Sequence, residues 1–119
     1  MFSYEVDKNG DRVNIHVKIT RGDNGSLLLK FTGEDAPVND ASLLVTVVDN
    51  DGEIMINKLI PIEDGQVTIP FTVEDTEHEP GIFTWDARIV FGRDDVETPM
   101  NPSNFEILET VGVIEYATS

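Results

Sequence analysis

A chain of 119 residues with 23 acidic and 8 basic side chains carries a formal charge of −15, a field that repels nucleic-acid backbones and anionic membrane surfaces. Its 39% apolar residues suffice for one compact domain with its own core and are too many for a disordered tail. It has no cysteine, hence neither a disulfide framework nor a thiolate metal site, and no apolar run approaches the ~18 residues of a membrane span. The opening MFSYEVDKNG lacks the basic and apolar regions of a secretory signal, so the expectation is a soluble protein made in a cytoplasm.

Apolar and polar residues alternate with a period of two along most of the chain, the pattern of half-buried strands. In RVNIHVKIT, Val13, Ile15, Val17 and Ile19 face one way and Asn14, His16, Lys18 and Thr20 the other. GDNGS breaks this run with turn residues, and SLLLKF resumes it with Leu27, Leu29 and Phe31 on one face. Arg21-Gly22-Asp23 lies at the break. Integrins read that tripeptide on exposed loops, but its acidic surroundings and the absent signal point to a structural turn. Ile19 ends the inward face, Gly22 supplies the bend, and Asp23 or Asn24 closes it through a side-chain hydrogen bond.

TGEDAPVND is a polar loop, and ASLLVTVV is apolar on both faces, which places it centrally in a sheet. DNDGE reads as a hairpin turn, because Asp-Gly favours the positive φ of tight hairpins. EIMINKLIPI returns from it, and EDG turns the chain into QVTIPFTV, where Val67, Ile69, Phe71 and Val73 alternate. Pro70 faces outward there and donates no ladder bond, so this strand is expected at an edge. EDTEHEPG is the next break, and its EDTEHE has room for one helical turn. IFTWDARIVF then puts Phe83, Trp85, Ala87, Ile89 and Phe91 on one face, the largest rings of the core. After GRDD, the two prolines of VETPMNPSNFEIL imply an irregular strand that resumes at Phe105 and Ile107.

Short strands at even spacing, without helical periodicity, predict an all-β immunoglobulin-like antiparallel sandwich of about seven to eight strands. Residues 1–119 read as one domain. The last segment, VGVIEYATS, stands apart. Its Val111, Val113, Ile114 and Tyr116 either extend the final strand and pack back, or make 110–119 a C-terminal arm that adds to a neighbouring subunit's sheet.

Candidate chemistry is sparse. His16 and His78 lie far apart among solvated residues, whereas a zinc site needs three or four converging ligands. No serine lies in a G-x-S-x-G turn, and no glycine-rich loop precedes a helix. No catalytic residue and no cofactor site is predicted. Asp49, Asp51 and Glu53 suit either the hairpin turn or a surface calcium site. They lack the oxygen spacing of an EF-hand loop.

Read in order, ITRGDNGSLLLKF and then VEDTEHEPGIFTWDARIVFGRDDVETPMNPSNFEILETVGV resemble the N-terminal domain of the baseplate upper protein of siphophages of Gram-positive hosts. The likeness covers roughly residues 10–113. That family shows a strand running into RGD or GDT, an apolar strand, EDT, and a spacer ending in glycine. An aromatic-rich strand and a last strand of the F-x-V-x-x-x-V kind follow. The matching positions here are Gly22-Asp23, Glu74-Asp75-Thr76, Gly81, Phe83 to Ile89, and Phe105-Glu106-Ile107 with Val111. No single motif is specific, and order and spacing carry the resemblance.

The resemblance implies assembly without catalysis: a phage or prophage virion component of tail, baseplate or neck, located in the particle and made in the host cytoplasm. Other virion proteins are the implied partners, with homo-oligomers expected and neither nucleic acid nor membrane bound. Baseplate upper proteins carry a further C-terminal region that holds the receptor-binding subunit. The sequence here stops at Ser119, so a lone domain or a small virion or neck protein is expected. The alternative is a bacterial immunoglobulin-like module that binds a surface carbohydrate or protein. It would use loops at one end of the sandwich, or an exposed aromatic platform, for which Trp85, Tyr116 and Tyr4 are the large amphipathic rings available.

Overall fold

A computed structural model describes residues 2–7, 12–34, 36–92 and 95–109. Nine strands and one helical turn follow in order: β1 (Phe2–Asp7), β2 (Val17–Thr20), β3 (Gly25–Thr32), β4 (Ser42–Val48), β5 (Ile54–Pro61), β6 (Gln66–Phe71), α1 (Val73–Thr76), β7 (Gly81–Gly92), β8 (Asp95–Glu97) and β9 (Ser103–Leu108). One sheet is three-stranded, in the order β1-β3-β6. The other has six strands, in the order β2-β9-β7-β4-β5 with β8 also on β7. Two packed sheets form the expected all-β sandwich.

Their pairing is mixed where antiparallel sheets were expected. β1 runs parallel to β3, and β2 runs parallel to β9. Both parallel partners are joined by crossovers and not by tight turns. Alternation of period two is common to both strand directions, so it could not distinguish them.

The inward sets are mostly as the alternation predicts; Val73 departs from it, because β6 ends at Phe71 and Val73 opens α1, exposed. Leu27, Leu29 and Phe31 of β3, Val67, Ile69 and Phe71 of β6, Trp85, Ala87 and Ile89 of β7, and Phe105 and Ile107 of β9 are all buried. Each large side chain removed from water contributes about 1.5–3 kcal/mol. Phe71 meets Phe105 edge-on at 5.2 Å, which ties the two sheets together through their rings. Phe83 and Phe91 are only partly buried and pack at the margin of this core. β4 lies between β5 and β7, so both its edges are paired, with one face buried and the other half-buried. β6 is an edge strand, as Pro70 required.

The run 13–19 alternates in burial, yet regular pairing begins only at Val17. Pro99 and Pro102 in the facing segment have no N–H to give a ladder. Side chains take its place. Ile15 donates its N–H to Ser103 Oγ (3.0 Å), Trp85 Nε1 donates to the Ile15 carbonyl (2.8 Å), and Asn104 donates its N–H to His16 Nδ1 (3.0 Å). His16 therefore holds a strand join in place.

Candidate assembly surface

One end of the open side between the sheets is closed by a clasp. Thr72 caps α1 with a capping box: Asp75 N–H donates to Thr72 Oγ1, and Thr72 N–H donates to the Asp75 carboxylate. That carboxylate also receives Lys58 Nζ at 2.5 Å, and the same ammonium donates to the Pro70 carbonyl at 2.6 Å. Lys58 belongs to β5 and Pro70 to β6, so a single side chain bridges the edges of two sheets. Its stem passes Phe71, with the ammonium 5.9 Å from the ring centre. Burial alone would raise the Asp75 pKa, but the hydrogen bonds and charge of Lys58 and the Thr72 bonds outweigh it, so the carboxyl is held below its ordinary value.

The Arg21-Gly22-Asp23 turn docks on the same helical turn. Thr76 is fully buried, and its hydroxyl donates to the Asp23 carbonyl at 2.6 Å. Gly22 N–H reaches the Thr76 carbonyl, and Arg21 N–H donates to the Leu108 carbonyl at 2.8 Å. The Arg21 guanidinium lies 3.5 Å from the Glu77 carboxylate. Gly22 has φ of +80°, and a Cβ placed there would stand 3.0 Å from Glu77. Glycine meets both demands. The expected turn is present; the Asp23 N–H donates to the Thr20 carbonyl at 3.0 Å to close it, and Thr76 docks it, without the Asp23 or Asn24 side chains.

Asp49, Asp51 and Glu53 lie in the β4–β5 hairpin. Asp49 Oδ1 accepts the backbone N–H groups of Asp51 and Glu53, both at 2.9 Å, and Gly52 has φ of +83°. The first candidate oxygen is thus engaged in closing the turn. Among the described residues no group of three or more His, Cys, Asp or Glu is arranged for a metal ion. Val111, Val113, Ile114 and Tyr116 lie outside the described residues.

The other edge of the open side is β5. Ile54 and Leu59 are 62% and 63% exposed, and Leu59 stands opposite Leu44 of β4. A shallow groove runs beside this edge, lined by Ile60, Pro61, Glu63, Gln66, Val67 and Thr68. The sequence reading passed over Lys58. The signal was present: in IMINKLI, Lys58 shares a face with Ile56 and Ile60, so alternation turns a charge inward on an edge strand. Trp85 is 1% exposed, with its indole N–H bonded inside the fold, so it offers no platform for a ligand.

No protein-family model matches this chain, and no curated protein matches it. A solved structure is similar in fold. It is the N-terminal domain of phage TP901-1 ORF48, at 8% identity, 91% coverage of this chain, 96% of that one, and a TM-score of 0.49. At this level the likeness carries no inference about function.

Proposed function

We propose that the chain is a non-enzymatic structural part of a phage or prophage particle, in tail, baseplate or neck, acting through protein–protein contacts. One observation carries the reading. Gly22-Asp23 and Glu74-Asp75-Thr76, the polar motifs of the resemblance to baseplate upper proteins, lie 53 residues apart where Thr76 bonds Asp23. They close on each other as one clasp. Its groups are engaged in fixing a fold, with Asp75 held by Lys58 and Thr72, which favours scaffolding over chemistry. Other virion proteins and further copies of the chain are its partners. The charge of −15 disfavours nucleic acid and anionic membranes.

The surface-binding module is the weaker reading, because its best ring, Trp85, lies in the core. Peptide mass spectrometry on gradient-purified particles from an induced culture of the source strain tests the proposal. Stoichiometric co-purification is expected. A protein abundant in the cells yet missing from the particles overturns it.

A further inference from the structure

We propose that residues 72–78 form a strap that opens as one unit together with the Arg21-Gly22-Asp23 turn, while both sheets stay intact. α1 has four residues, and a helical turn of that length has no stability of its own in water. Thr76 is its buried residue, and Val73 is 49% exposed. Apolar packing therefore does little to hold the segment, which is the mark of a part that opens before the core does. Polar contacts hold it instead, and they converge on two adjacent residues. Asp75 takes the capping bonds of Thr72 and the Lys58 ammonium from β5. Thr76 takes the turn: its hydroxyl donates to the Asp23 carbonyl, and its carbonyl accepts from the Gly22 N–H.

This placement makes the two contacts depend on each other. The Thr76 hydroxyl also reaches the Val73 carbonyl at 3.2 Å, so it points at Asp23 only while the helical turn is wound. The turn is wound while its capping box is closed, and Lys58 holds the carboxylate that closes it. The path from Lys58 through Asp75 and Thr76 to Asp23 is a continuous set of direct contacts across two sheets. Arg21 adds a further hold on the same segment through Glu77. The other end of β6 is fastened differently. There Glu63 and Gln66 exchange backbone bonds, and Gly65 bonds both Val38 and Phe31 through its backbone. One end of β6 is thus tied by backbone, and the other by side chains that release together. Opening the strap also removes the Lys58 ammonium from the face of Phe71, the ring that joins the two sheets.

Native-state hydrogen exchange of the full chain, read amide by amide, tests the unit. Gly22, Asp75, Thr76 and His78 should share one opening constant within about threefold, and should be at least about tenfold less protected than Val45 in β4. Lys58→Met should lower the protection of all four by a common factor of about ten or more, with Gly22 included. The coupling is reciprocal, so Thr76→Val, which removes only the hydroxyl, should lower the protection of Asp75 and His78 by about fivefold. The Asp51 and Glu53 amides of the β4–β5 turn bond Asp49 and not the strap, so they should keep their rates in both variants. Gly22 exchanging as slowly as Val45 in the native chain overturns the proposal. So does a Lys58→Met variant that frees Asp75 and Thr76 but leaves Gly22 unchanged, or a Thr76→Val variant that leaves Asp75 unchanged. Equal loss at Asp51 and Glu53 would mean general loosening, and overturns it too.

Discussion

The two strands flanking the open side of the sandwich are finished in opposite ways. β6 runs into a proline, a capped helical turn and the ammonium of Lys58, so its carbonyl at Pro70 and the acid beyond it are both engaged. β5 supplies that ammonium and keeps none of it for its own outer face, where Ile54 and Leu59 stand in solvent. One lysine of β5 therefore reaches across to the edge of β6, while two apolar side chains of β5 stay in solvent. Exposed apolar side chains on an edge strand invite edge-to-edge pairing, which a bulge, a proline or an inward-pointing charge restrains.

Breaking the clasp should cost most. Lys58→Met keeps the stem and removes the charge, leaving the largely buried Asp75 carboxylate without its cation; a loss of about 2–3 kcal/mol is expected in urea unfolding. A loss below about 0.5 kcal/mol would mean that the bridge between the edges contributes little. Gly22→Ala should cost about 1–2 kcal/mol, since alanine is strained at positive φ and its Cβ meets Glu77. A matched Gly52→Ala variant separates the two causes. Gly52 shares the positive φ but has open space around a Cβ, so it should lose less.

Acid should sharpen the contrast further. Asp75 has a depressed folded-state pKa, so its contribution is complete above the unfolded value near pH 4 and is lost as pH falls through the folded value. Wild-type stability should drop more steeply than that of Asp75→Asn below about pH 4. Parallel urea midpoints down the pH series would remove Asp75 from the account. The smallest effect on folding belongs to the exposed side chains of β5. Leu59→Lys, at a site 63% exposed, should change stability by no more than about 0.5 kcal/mol in urea unfolding. A large stability loss would show that Leu59 serves the fold.

Alternation of period two, glycine and proline determined a good deal by themselves. They set the inward faces of β3, β6, β7 and β9, the edge position of Pro70, the Asp-Gly hairpin after β4 and the single helical turn near 74–79, found at Val73–Thr76. Those are local matters: side-chain direction along a strand, and the φ that a residue tolerates. Tertiary structure alone decided that β1 and β2 pair in parallel, because strand direction leaves no mark on alternation. It also decided that Ile15 and His16 are tied to Ser103, Asn104 and Trp85 through side chains, next to the prolines at 99 and 102. The meeting of Asp23 with Thr76, and of Lys58 with Asp75 and Pro70, belongs to the same class. Each joins groups distant in the chain, and only the packing of two sheets brings such groups within hydrogen-bonding reach.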